Sequence, residues 1–375
     1  MTLFSSRLAS PAALVGALLF LPLTGAGLPA TAEAEPLAIQ EFLIPEDRMC
    51  ELRNQWVDHL LSTYPEGTWA PMRWNLEDEQ LALMGLPPKA VLTSMRFSEP
   101  TMVSADGAVE IIDRDVFLQA AGTMGPTAAA YGGTGCLGIR PGAWLLLIDN
   151  LGVGWCSFAH VHGSPGSYSI STAGHCGGVG TVATVIAGFG NRAGVLNPIL
   201  LDVGKFTKST GDGGIGKDWA LVGIDAPWQG LVSPTMCFWG GPQGVYTKQG
   251  YTVSATLLGR KLIDGPYVNP DPFLVQGIVH YGHGTGVGAG GTPRAGTAFW
   301  WGANHFAWEG VISPGDSGSG SNTITGDSVG AVREAAGINT HIFVDASLKT
   351  GVGFMASTRT TLVGTPANGQ LVPYP

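Results

Sequence analysis

From Cys136 to the C-terminus the sequence is cut every few residues by Gly, Pro, Asn or Asp. Between the cuts lie short runs rich in β-branched and aromatic residues. That rhythm leaves no room for long helices and suits many short antiparallel strands. Candidate strands are Trp144 to Ile148, Trp155 to Val161, Tyr168 to Thr172, Thr181 to Ile186, Trp219 to Ile224, Tyr251 to Leu258, Leu274 to His280 and Ile338 to Val344. The 57 glycines and the charged fraction of only 13% fit the same reading. We expect an all-β barrel or sandwich fold, not a doubly wound α/β one.

The N-terminal third is different. Between Glu33 and Asp115 there are 16 acidic and 6 basic residues, whereas from Val116 onward there are 12 of each. Met49, Leu52, Trp56, Leu60 and Leu61 recur at helical spacing, so a helix is expected from about Pro45 to Tyr64. Asn75 is placed to cap a second, short helix. The Ala, Gly and Thr tract after Gly125-Pro126 reads as a linker. Ahead of all this, Arg7, the apolar run Pro11 to Leu28 and the Ala-x-Ala patterns near Ala30 to Ala34 form the order of a secretory signal peptide. Pro22 and the glycines in that run argue against a membrane anchor. The expected division is therefore a signal peptide at 1–34, an acidic propeptide or accessory segment at 35–130 and a main domain at 131–375. The expected location is extracellular, with no membrane attachment after signal cleavage. No basic patch is present, so nucleic acid is not expected as a partner.

Three short motifs carry chemistry. Pro314-Gly315-Asp316-Ser317-Gly318-Ser319-Gly320 is a tight loop with glycine on both sides of a serine. Such a loop can aim the Gly315 and Ser317 amides at one point, where they would stabilise an oxyanion. A serine needs a base, and His175 in Ser171-Thr172-Ala173-Gly174-His175-Cys176 lies just past a candidate strand. The base needs a carboxylate on its second ring nitrogen. Asp218 opens the apolar run Trp219 to Val222, where it would be drawn into a buried position; Asp212 and Asp225 compete with it.

Taken together, Thr-Ala-Gly-His-Cys, Asp-x-Ala-Leu and Gly-Asp-Ser-Gly-Ser resemble the three signature motifs of the chymotrypsin-like (trypsin-fold) serine peptidases. They occur in that family's order, His, Asp, Ser. The resemblance runs from about Cys136 to Val363. It implies two antiparallel β-barrels preceded here by a small, partly helical segment. It implies a secreted serine endopeptidase with Ser317 as nucleophile, His175 as base and Asp218 as orienting carboxylate, acting on polypeptides through an acyl-enzyme as a monomer without a cofactor. It also implies a Cys156–Cys176 disulfide; Cys136 and Cys237 could then form a second, leaving Cys50 over. Val311 would lie at the floor of the primary substrate pocket, favouring apolar side chains. Thr340 would stand on the substrate-binding strand, where a hydroxyl supports the catalytic aspartate. No Ile-Val-Gly-Gly-type activation site is visible, so the chain is closer to bacterial secreted members, in which an internal basic residue pairs with the aspartate before the nucleophile. Arg260, Arg294 and Arg333 are the candidates for pairing with Asp316. A catalytically silent binding protein on the same scaffold and a serine esterase remain as alternatives.

Other motifs carry less. Gly286 to Gly291 matches a dinucleotide fingerprint, but Thr292-Pro293 prevents a following helix, so a loop is expected. His160-x-His162 and His280-x-x-His283 have metal-like spacing without a carboxylate cluster, and structural roles are expected. The aromatic cluster around Phe299 to Trp301 and Phe306 to Trp308 is expected in the core or a pocket wall.

Overall fold

The computed structural model describes residues 46–64, 67–122, 138–149, 152–236, 238–247, 256–257, 260–261, 277–283, 292–311, 313–325, 332–345 and 352–373. Contacts divide the chain into two units, Met1–Glu35 and Pro36–Pro375, and everything described here belongs to the second. The expected signal peptide, the Cys136–Cys237 pair, the Gly286 to Gly291 loop and most of the Tyr251 to Leu258 run lie outside the described residues.

Two antiparallel assemblies dominate. In one, the strands Val332–Val344, Gly320–Thr325, Gly277–Gly282, Thr292–Trp301, His305–Val311 and Val352–Arg359 follow each other by hydrogen bonding. The last pairs back with the first, Ile338 opposite Thr358, which closes a six-stranded barrel. In the other, ten strands form a second sheet whose centre is Trp144–Asp149, Val182–Arg192, Val195–Ser209, Ala220–Ile224 and Ser169–Thr172. The all-β architecture expected from the sequence is thus the one observed, as one closed barrel and a second, ten-stranded sheet. Period-2 patterning explains the second sheet: Leu145 and Leu147 pack on one face with Val185 and Leu201, while Leu146 and Ile148 pack on the other. Of the aromatic cluster, Trp301, Phe306 and Trp308 are buried in the core.

Residues of the acidic segment enter both assemblies. The helix Glu46–Thr63 buries Trp56, Val57 and Leu60. The strand Thr68–Pro71 extends the barrel, Thr68 opposite Val344. The strands Trp74–Leu76 and Thr101–Val103 join the second sheet beside Gly152–Ser157 and Val195–Ser209. Trp56, Trp74, Trp155 and Trp144 form a chain of ring contacts, with centroids 6.0, 5.8 and 5.2 Å apart. Asn75, expected as a helix cap, instead lies in a strand opposite Gly154. The short helix Asp78–Leu83 starts two residues later at Glu77, whose amide donates to Gln80 Oε1 at 2.6 Å. Among the described residues, no helix is long and apolar enough to cross a membrane.

Candidate active site

Register in the second sheet brings two of the motifs together. Ser169–Thr172 pairs antiparallel with Ala220–Ile224, Thr172 opposite Ala220. Residues just after Thr172 and just before Ala220 therefore leave the sheet at the same end. His175 stands in the tight turn Gly174–Cys176 and Asp218 in the approach to the partner strand. A disulfide between Cys156 and Cys176 ties that turn to the strand Gly152–Ser157.

Asp218 is fully buried. Its Oδ1 accepts the amides of Gly174 at 2.5 Å and His175 at 3.0 Å, and its Oδ2 lies 2.5 Å from His175 Nδ1. Two backbone donors hold the carboxylate in place without relying on the imidazole. Because a carboxylate can only accept, the ring proton sits on Nδ1 and the Nε2 lone pair is free to act as a base. Ser317 Oγ lies within hydrogen-bond reach of that Nε2. The order Asp218, His175, Ser317 is a continuous path for moving one proton off the serine hydroxyl.

Ser317 arrives from the barrel, on the loop between His305–Val311 and Gly320–Thr325. Its carbonyl accepts from Ser157 N at 2.7 Å, and Ser157 Oγ donates to the Gly315 carbonyl at 2.9 Å. On the other side, Gly318 N donates to the Asn339 carbonyl at 2.7 Å. With the neighbouring carbonyls turned to these donors, the Gly315 and Ser317 amides have no protein acceptor among the described residues. Gly315 takes a φ of 93°, which a side chain would oppose. Gly318 is tighter still. At φ +85°, an added Cβ would fall 2.1 Å from Thr172 Oγ1 and 2.3 Å from the Ser157 carbonyl oxygen. Gly318→Ala is therefore expected to cost about 2–4 kcal/mol by overpacking and left-handed strain, measured as a lower denaturant midpoint at unchanged slope.

The loop is anchored by a buried ion pair. Asp316, fully buried, meets the Arg294 guanidinium and accepts from Ser313 N at 2.9 Å. Arg294 also donates to the Gly282 carbonyl at 3.0 Å. Of the three arginines considered from the sequence, the structure places Arg294 beside Asp316.

The remaining expected residues are placed less directly. Val311 ends its strand, half-buried, opposite Val352. Thr340 is buried, but its hydroxyl meets the Ala356 carbonyl at 3.2 Å and His341 Nδ1 at 2.9 Å, not Asp218. His341 is the ring nearest that carboxylate after His175, 3.9 Å from Asp218 Oδ2. Sequence reasoning passed over His341, although it directly follows Thr340 on the same strand. It placed Asn339 on the substrate-binding strand beside Thr340 but gave no role to its side chain, whose Oδ1 accepts from Trp308 Nε1, Ser321 Oγ and Ser357 Oγ. Asn339 Nδ2 donates to Ser319 Oγ at 2.9 Å, two residues past Ser317.

The paired histidines are buried and hydrogen-bonded within the fold. His160 Nε2 bonds Asn322 at 2.9 Å, His162 Nε2 meets Ser171 Oγ at 3.2 Å, and His283 Nδ1 donates to the Gly142 carbonyl at 2.6 Å. Burial lowers His160 and His280 to about 4 and His162 to about 3. These rings stay neutral in the folded state while the unfolded chain takes up protons near pH 6.5. Stability therefore falls as pH drops from about 6.5 toward 4, on the order of 1–3 kcal/mol for each ring. Denaturant titrations at pH 7.5 and 5 should show this loss, and His162→Gln should reduce the difference.

No protein-family model matches the chain, and no curated protein matches it. Solved structures do. Thermobifida fusca protease A is 17% identical over 63% of this chain and 98% of its own, with a TM-score of 0.36. A Nocardiopsis protease is 16% identical over 62% and 98%, with a TM-score of 0.34. A glutamic acid-specific serine protease is 16% identical over 62% and 100%, again at 0.34. These neighbours are proteases, but at such identities and scores they assign no activity to this chain, whose function must be read from its own residues.

Proposed function

We propose that this chain is a secreted serine endopeptidase of the chymotrypsin-like type. The observation that carries the proposal is the unbroken contact path from Asp218 through His175 to Ser317, formed by residues 43 and 99 positions apart in sequence. Ser317 Oγ attacks the peptide carbonyl as His175 Nε2 takes its proton. Asp218 holds the imidazole and stabilises its cationic form. The Gly315 and Ser317 amides receive the oxyanion, each worth about 3 kcal/mol. His175 then gives the proton to the departing amine, leaving an acyl-enzyme that water hydrolyses by the same steps in reverse.

Val311 would form an apolar floor of the primary pocket, so we assign cleavage after apolar residues. Residues 35–130 act in this reading as an accessory segment that assists folding. Support comes from the burial of Trp56 and Trp74 and from the strand pairing with both assemblies. The neighbouring readings separate on substrate. Digestion of an unfolded polypeptide, with fragment termini read by mass spectrometry, should reveal cuts after apolar residues. Turnover of small esters with no peptide cleavage would favour an esterase, and turnover of neither would favour a silent binding protein.

A further inference from the structure

A cavity of about 500 Å³ lies in the acidic segment, lined from the helix Glu46–Thr63 on one side and from the strand Trp74–Leu76 and its flanks on the other. Its volume falls in the range of about 300–1,000 Å³ usual for small organic ligands. Much of its wall is aromatic. Trp56 and Trp74, 8% and 3% exposed, meet at a centroid distance of 6.0 Å, and Tyr64 adds a third ring.

Arg73 is the one fixed cation among the described residues that line it. Glu77, the one carboxylate among them, is already paired with Lys89. An arginine without a partner ordinarily runs its head out into water. Arg73 is instead half-buried, and its guanidinium lies against the backbone of Gly154, where an added Cβ would stand 3.2 Å from both Nε and Nη2. Nε is covered there without an acceptor, and the guanidinium has no hydrogen bond or ion pair among the described residues. The indole N–H of Trp56, in the same wall, is also covered and unpaired. Covered donors of this kind are uncommon in folded proteins, and these two share one cavity.

A guanidinium presents its N–H groups as a fork that matches a carboxylate. One arginine among three aromatic rings suits a single negative charge on an apolar body better than the clustered charge of a polyphosphate. We propose that this cavity binds the carboxylate of an apolar or aromatic organic acid, with Arg73 on the carboxylate and Trp56, Trp74 and Tyr64 on the apolar part. A peptide ending in an apolar residue and a free aromatic acid both carry that chemistry. On the endopeptidase reading, cleavage after apolar residues releases peptides of the first kind, so the acidic segment would hold a product. That supply rests on the reading above, whereas binding itself does not.

The test is calorimetry on the full chain carrying Ser317→Ala, which cannot turn the ligand over. N-acetyl-Leu-Phe with a free carboxylate should bind, and its C-terminal amide should bind about tenfold more weakly or worse. Arg73→Gln should weaken the acid by a similar factor and leave the amide unchanged. Arg73→Lys should fall between, because it keeps the charge but not the fork. The comparison of acid with amide needs no substitution at the site, so it decides even where a variant unfolds. Phenylpropionate separates the two sources: binding as tight as the peptide's assigns the site to free aromatic acids, and weaker binding assigns it to peptide C-termini. Equal binding of acid and amide, or no binding of either acid, would overturn the proposal. So would binding that Arg73→Gln leaves unchanged in folded protein, as expected of a ligand held only in the cleft beside position 317. A chain that never takes up fluorophosphonate would overturn the hydrolase reading and leave this result standing.

Discussion

Replacing His175 with Ala should lower kcat for peptide hydrolysis by roughly 10⁴-fold or more while leaving the thermal unfolding curve close to that of the parent. That is above about 5 kcal/mol of transition-state stabilisation. Nε2 is the base within reach of Ser317 Oγ, and Nδ1 is committed to Asp218 at 2.5 Å. Without the ring, Asp218 keeps its two amide donors from Gly174 and residue 175, so the buried carboxylate stays solvated and the fold survives. Ser317→Ala should cost a similar factor, and the double variant little more, because the two residues act as one unit. Steady-state kinetics on one peptide substrate would check all three.

Breaking the Arg294–Asp316 pair should produce the largest stability effect. Both side chains are buried, Arg294 4% and Asp316 0% exposed. Arg294→Met removes the countercharge from a carboxylate that has no exposed surface, and a loss of about 3–5 kcal/mol is expected. Activity should fall as well, because Asp316 fixes the turn between Ser313 and Ser317 that carries the Gly315 and Ser317 amides proposed to receive the oxyanion. Adding Asp316→Leu should recover part of the stability, since an apolar pair needs no solvation there, but not the activity. Urea titrations and kinetics on the two variants would separate the two effects.

The strands Trp144–Asp149, Ser169–Thr172, Val182–Arg192 and Ala220–Ile224 were legible because apolar runs bounded by glycine and polar breaks are local signals. Val195–Ser209, Thr292–Trp301, His305–Val311, Gly320–Thr325 and Val352–Arg359 were not among the expected strands. The helix Glu46–Thr63 was legible from the spacing of Trp56 and Leu60. What was not legible is long-range pairing. Thr68 lies opposite Val344 and Trp74 opposite Trp155, and nothing local in the acidic segment reveals those partners. The same cause misplaced Asn75, whose strand forms because Gly154 is there to pair with it. In the candidate site, His175, Asp218 and Ser317 stood out through the residues around them. Arg294 could not be chosen over Arg260 or Arg333, because its contact with Asp316 depends on how the barrel closes. The side-chain roles of His341 and Asn339 were not legible because their partners, Asp212, Trp308 and Ser357, are distant in sequence.

The most direct test of the central claim is to treat the purified protein with a fluorophosphonate probe and locate the adduct by peptide mass spectrometry. The proposed mechanism requires a single adduct on Ser317, absent from both Ser317→Ala and His175→Ala proteins. A folded parent protein that takes up no probe, or takes it up equally without His175, would contradict an activated nucleophile at this site.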